Sequence, residues 1–395
     1  MGLLSSLKVL DFTTLLPGPY ATLMLADLGA DVLRVDAPNR QDFIRMLPPL
    51  DEYSSAAHSY LNRNKQSICL DLKNPAAVVL VRELVQEFDV IVEQFRPGVM
   101  DRLGIGYETL AELNPRVIFC SITGYGQTGP YRDRAGHDCN YLAMSGMSSH
   151  TGTEATGPVP AGFQIADVAG GSLHAVTGIL AAVVHRQQTG EGQAIDISMT
   201  DAAFALNAML GAGCLGGGVV PDMESHPLNG GGLYGYYQTS DGRWMSVGSL
   251  EPQFLRALCD ALDIEMVEAN GFGMAERDGG IRQKLRERFA QLTFADCRAI
   301  FAKLDACVEP VLNLREAAEH PLFDTREMIA SVPTPDGKTQ KQLAAPIKFS
   351  AHAPQYRCIG PDPGEHTEEV LKALGKSGEE ICGLRDRGAF GAQTA

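Results

Sequence analysis

Short β-branched runs alternate with helical patterns through the first half of the chain, and no other feature restricts the fold as strongly. Residues 7–12 (LKVLDF), 31–36 (DVLRVD), 89–93 (DVIVE) and 116–122 (RVIFCSI) read as strands. Helical stretches at 20–28, 76–88 and 107–113 lie between them. Such alternation calls for a parallel sheet covered by helices on both faces. Residues 167–187 form a long apolar helix stopped by Thr189-Gly190, and 193–199 (QAIDISM) a further strand whose end, Thr200-Asp201, can cap the next helix. The style then changes. Runs at 234–238 and 244–248 flank Ser240-Asp241-Gly242, a hairpin signal, and helices at 253–262, 281–291 and 294–304 precede a strand-like run at 308–314. The chain of 395 residues therefore reads as a Rossmann-like α/β domain (1–200), a linker (201–224), a smaller α+β domain (225–330) and a C-terminal return to the large domain (331–395).

A doubly wound sheet raises the question of dinucleotide binding. The turn after the first strand, TTLLPGPYA, has no Gly-x-Gly-x-x-Gly, and its prolines remove N–H donors that a pyrophosphate needs. Asp36 ends the second strand where a ribose-binding acid often sits, but without the glycines it reads as an ordinary strand-end carboxylate.

With 33 basic and 48 acidic residues the formal net charge is −15, which argues against a nucleic-acid partner. The nine cysteines are odd in number and show no Cys-x-x-Cys pair, the pattern of reduced thiols in a cytoplasmic protein. The nine histidines show no His-Glu-x-x-His spacing, so no metal site is expected. The N-terminus lacks the charged and apolar regions of a signal peptide. Residues 202–220 are apolar but rich in Ala and Gly, and read as a packed helix and a Gly-rich loop, not a membrane span.

Several ordered blocks then stand out: LKVLDFTTLLPGPYATLMLADLGADVLRVD, LNRNKQSICLDLKNP, FRPGVMDRLGIGYETLAELNPRVIFCSITGYGQTGP, RAGHDCNYLAMSG, the Asp of QIADVAGGS, TGEGQAIDISM and GEHTEEVL. With these blocks the chain resembles the family III coenzyme A transferases, the formyl-CoA and carnitine-CoA transferase group, over nearly its whole length. Within that family it looks most like the α-methylacyl-CoA racemase branch. The resemblance implies an acyl-CoA thioester as substrate, no separate cofactor, and an interlocked homodimer with the site between one chain's large domain and the other's small domain.

Asp167 matches the family's catalytic aspartate. In transferases that carboxylate attacks the acyl-CoA and forms a mixed anhydride; in racemases it is a general acid/base. Taken alone, Asp167 reads as a helix N-cap beside a Gly-Gly pair whose N–H groups can face an oxyanion. His137, in Gly136-His137-Asp138, matches the racemases' second acid/base, and imidazole, whose ordinary pKa of about 6.5 lies near neutrality, suits either role. Glu251 matches the glutamate that orients this histidine, with Asp138 an alternative partner; alone, Glu251 is a helix-start carboxylate before proline. All three together favour racemisation over transfer. Arg34, Arg63, Lys65 and Arg96 lie in family blocks and are candidates to neutralise CoA phosphates, Arg63 and Lys65 above all. Tyr125 and Gly126 lie in a loop at a strand's C-terminal end, where open α/β sheets bind ligands. Tyr234 is a further candidate near the site, and Met144, Met147, Met199 and Met209 are candidates for an adaptable acyl wall.

Overall fold

The computed structural model describes residues 2–265 and 280–391. Six parallel strands form one sheet: β1 (Lys8–Asp11), β2 (Asp31–Asp36), β3 (Gln66–Cys69), β4 (Val90–Glu93), β5 (Ile118–Thr123) and β6 (Gln193–Ser198), in the order β3-β2-β1-β4-β5-β6. β4 and β5 are buried at every position, as strands covered on both faces must be, which accounts for the apolar runs Val90–Val92 and Ile118–Cys120. Helix α1 (Pro17–Asp27) starts on a proline whose missing N–H is no loss in a first turn. Helix α2 (Pro75–Leu84) is capped by Asn74, whose Oδ1 accepts the Ala76 N–H at 2.9 Å, and buries Ala77, Leu80, Val81 and Leu84 against the sheet. The strand order reverses between β1 and β4, and open sheets of this kind bind ligands at that crevice. The loops after the two strands meet there, where the Gly18 N–H donates to Gln94 Oε1 at 3.2 Å.

The remaining elements of interest here are α3 (Asp138–Met144), α4 (Leu173–Thr189), α5 (Met199–Ala205), α6 (Ala208–Gly217), β7 (Gly235–Gln238), β8 (Trp244–Val247), α7 (Pro252–Leu262), α8 (Gly280–Phe289), α9 (Phe294–Phe301) and β9 (Val308–Pro310). The chain divides into two compact units, one of residues 1–142, 163–206 and 322–395, the other of 143–162 and 207–321. The division does not run at the expected boundary of 225. An excursion from the first half, pairing Gly152–Thr153 with Gly157–Pro158, goes with the second unit. There Asn207 Nδ2 donates to Ser145 O at 3.0 Å and Asn229 Nδ2 to His150 O at 3.3 Å. The segment expected to link the domains as a helix and a Gly-rich loop forms two helices, α5 falling in the first unit and α6 in the second.

The second unit holds the antiparallel sheet β9-β8-β7, with the hairpin turn at Gly242 (φ +77°). Its core joins Met245 and Val247 to Leu255, Leu258 and Leu262 of α7, Leu285 and Phe289 of α8, and Cys297 and Phe301 of α9. Helix α5 buries Ala202 and Ala203, whereas α6, where a Gly-rich loop was expected, buries none of its residues; Leu215 is 78% exposed.

Candidate active site

Asp167 lies in the first turn of a widened, π-type helical segment, Ala166–Ser172, that runs directly into α4. Such segments concentrate at functional sites. The Gly-Gly pair serves packing. A Cβ on Gly170 would lie 3.2 Å from Met199 O, and one on Gly171 3.1 Å from Pro17 Cβ. Ser172 Oγ fastens the same turn to the start of α1 by donating to Pro17 O at 2.6 Å. At the start of this turn the Asp167 N–H donates to Asp138 Oδ1 at 3.0 Å, and the Val168 N–H to Gln164 O at 3.0 Å.

His137 immediately precedes α3 and is exposed. Its N–H donates to Asn140 Oδ1 at 3.0 Å, and its carbonyl accepts the N–H groups of Asn140 (2.8 Å) and Tyr141 (3.3 Å). The first turn of α3 thus presents His137 while Asp138, one residue on, grips the backbone of Asp167. The Asp167 carboxyl is pushed up to about 6, by burial first and by the Asp138 charge second, with His137 pulling the other way. The structure therefore brings His137, Asp138 and Asp167 into one electrostatic cluster. The loop after β5 stands beside it. Gly126 adopts φ +83° and donates its N–H to Thr123 Oγ1 at 3.0 Å, and the Tyr125 ring meets those of Tyr141 (5.3 Å) and Tyr131 (5.5 Å).

Glu251 and Tyr234 belong to the second unit. Glu251 is the exposed N-cap of α7, makes no side-chain cap bond, and precedes Pro252 at N1. The Tyr234 ring lies 3.5 Å from where a Cβ on Gly248 would sit, three residues before Glu251.

Three of the four cations proposed for phosphates are occupied inside the protein, and that expectation is corrected for them. Arg34, Arg63 and Lys65 are each no more than 1% exposed. Lys65 Nζ reaches Thr22 Oγ1 (2.7 Å), Asn62 Oδ1 (2.9 Å), Pro19 O (3.0 Å) and Asp11 Oδ2 (3.2 Å). Arg34 pairs with Asp36 (2.9 Å) and Asp42 (2.7 Å), and Arg63 with Asp27 (2.6 Å). Ions buried this deeply persist only with partners, and these partners are acids of the same unit. Burial pulls Lys65 down to about 8 even with Asp11 opposing; Asp11, whose burial would raise it, is held below its ordinary value by Lys65 and Arg34.

Arg96 is exposed, in the loop after β4 at the sheet's reversal point. Two arginines not singled out in the sequence stand close by. The position of a Cβ on Gly98 (φ +76°) is 3.2 Å from Arg132 Nη2 and 3.3 Å from Arg102 Nη1. Arg132 Nε is buried with no hydrogen-bond partner. Arg96, Arg102 and Arg132 make no ion pair with an acid among the described residues. The available signal was the Pro97-Gly98 turn opening a short helix that ends on Arg102.

The fold is a doubly wound α/β domain in which His137, Asp138 and Asp167 form one electrostatic cluster and Arg96, Arg102 and Arg132 have no ion-pair partner among the described residues. The model of CoA-transferase family III matches residues 4–367, and the chain belongs to that family. It is 36% identical to human alpha-methylacyl-CoA racemase over 384 residues, 96% of each chain. It is 33% identical to the succinate–glutarate CoA-transferase of Agrobacterium fabrum, over 94% of this chain and 95% of that one. Among solved structures, a CAIB/BAIF family protein from Brucella suis superposes with a TM-score of 0.83 at 31% identity, covering 95% of this chain and all of the other.

Proposed function

We propose that this protein is a racemase that epimerises the α-carbon of 2-methylacyl-CoA thioesters by 1,1-proton transfer. One member of the His137–Asp167 pair removes the α-proton, the thioester carries the charge as a planar enolate, and the other member delivers a proton to the opposite face. One proton leaves the substrate and one returns, so no redox partner is needed. The observation that carries the reading is the Asp167 carboxyl held up to about 6 beside His137, because a carboxyl that passes readily between its two protonation states near neutrality can both give and take a proton. By the family resemblance, the role of orienting His137 is assigned to Glu251 of a second copy. Arg96, Arg102 and Arg132 are assigned to the CoA phosphates, since their guanidinium groups lack internal acids and a chain of net charge −15 offers an anion few such places. The exposed apolar surface of α6 supports a homodimer in which a second copy covers it.

The alternative within the family is CoA transfer, in which the Asp167 carboxylate attacks the thioester carbonyl, expels CoA thiolate and forms a mixed anhydride. Transferases among the relatives keep it in view. One experiment separates the two: a single 2-methylacyl-CoA epimer in D₂O with no acceptor acid. Gain of α-deuterium with loss of optical purity supports the racemase. CoA exchange that appears only on adding a carboxylic acid, with a hydroxylamine-sensitive adduct at Asp167, overturns it.

A further inference from the structure

We infer that Tyr141 is a positioning residue for this proton transfer, its phenol and ring fixing the peptide that leads into His137. The inference rests on the racemase reading for its catalytic meaning and on packing geometry for its substance. Tyr141 lies in α3 and is 6% exposed. Its Oη donates to the carbonyl of Gly136, the oxygen of the peptide joined to His137. The other polar atom of that peptide, the His137 N–H, is taken by Asn140 Oδ1 at 3.0 Å. With the His137 carbonyl also accepting from Asn140 and Tyr141, the backbone on both sides of the imidazole is held and only the side-chain torsions stay free.

The ring accounts for two glycines that the backbone does not require. Neither Gly124 nor Gly136 has a positive φ, so any residue could adopt their conformations. A Cβ at either, however, would lie 2.6 Å from Tyr141 Cε1, and at Gly136 also 3.0 Å from the Tyr125 hydroxyl. The phenol thus fills a slot between the loop after β5 and the loop before α3. Tyr125 closes it edge-on, with centroids 5.3 Å apart at 84°. The first loop is itself tied down, because Gly124 O accepts Thr200 Oγ1 at 2.7 Å and Thr200 N at 3.1 Å. The same helix turn supplies Asp138 to the Asp167 N–H, so one ring restrains the segments behind both proton-transfer groups.

The test is Tyr141→Phe, which keeps the ring and removes only the donor. Each epimer is followed in D₂O for α-deuterium and for inversion. From the epimer whose proton Asp167 removes, a misplaced His137 lets the exchanged carboxyl return a deuteron to the same face. The ratio of exchange to inversion should rise several-fold, while KM for the thioester stays within about twofold. The His137 imidazole resonances, assigned by difference from His137→Gln, should shift while those of the other histidines stay. Gly136→Ala, which forces a methyl group against the ring, should raise the same ratio. Exchange and inversion falling in proportion, with His137 resonances unchanged in Tyr141→Phe, would overturn the inference. A wild-type enzyme that exchanges no α-hydrogen would sink the racemase reading instead, and the resonance comparison would still decide whether Tyr141 positions His137.

Discussion

Replacing Asp138 with Asn removes a charge from the candidate site while leaving its geometry in place. The amide oxygen can still accept the Asp167 N–H that Asp138 Oδ1 accepts at 3.0 Å. What goes is the negative charge that, second to burial, holds the Asp167 carboxyl up to about 6 from its ordinary 3.8. That displacement corresponds to roughly 3 kcal/mol of differential interaction. Burial keeps the larger share, so losing Asp138 should return roughly one pH unit, about 1.4 kcal/mol. The sign follows from the active form of the pair, which carries one proton between His137 and Asp167. Acid inactivates by adding a second proton, and that step becomes harder once the carboxyl is more acidic. The acidic limb of kcat/KM should therefore move to lower pH by about one unit, with the basic limb nearly unmoved; both limbs belong to the coupled pair. Forward and reverse reactions share one transition state and their epimers are nearly equal in energy, so both directions must shift together. The assay is loss of optical rotation across pH from each epimer. An acidic limb that stays in place or moves upward, with the plateau preserved, would refute the assignment of Asp167 to the proton-bearing pair.

Four further outcomes are expected. His137→Ala should lower racemisation by on the order of 10²–10⁴, measured by polarimetry, while binding of CoA itself is preserved. Arg102→Ala and Arg132→Ala should each raise KM for the thioester by roughly tenfold or more, from about 1.5–3 kcal/mol of lost charged hydrogen bonding, with little change in kcat; an unchanged KM removes them from the phosphate site. Lys65→Met should leave Asp11 buried without its counter-charge and cost about 3–5 kcal/mol of stability in denaturant titration, a loss that Arg96→Ala, on an exposed residue, should not produce. Leu215→Asp, on the exposed apolar face of α6, should move the protein toward monomer in sedimentation, and a variant that sediments like the wild type would show that this helix is not the contact.

The sheet was readable because its signal is local. A strand buried on both faces is mostly apolar, as Val90–Val92 of β4 and Ile118–Cys120 of β5 are, and the helices between supply the return path. The proposed acid–base pair is suggested only through the ordered family blocks, since a histidine after glycine or an aspartate at a helix start has ordinary structural uses. The cations misled for a physical reason. Whether a charge is buried depends on acids brought close by the fold, and Lys65 finds Asp11 from 54 residues away. Asp11, Asp27, Asp36 and Asp42 complete the pairs that keep Arg34, Arg63 and Lys65 inside.

The same accounting, run in reverse, is what exposes the arginines at the crevice. A guanidinium that finds no acid in its own chain must be satisfied by water or by a ligand, and a buried nitrogen such as Arg132 Nε has little access to the first. The cations of this chain therefore hold two populations, one paired with buried acids and one without an ion-pair partner among the described residues, and residue type cannot sort them. Gly98 can. Its left-handed turn has no side chain between Arg102 and Arg132, so two like charges approach a common point with no ion-pair partner among the described residues. Two like charges so placed repel each other in the free protein, and under the proposed assignment the expected outcome is that inorganic phosphate relieves this with an affinity that falls steeply as salt is raised, a response not expected of the buried, acid-paired Arg34, Arg63 and Lys65.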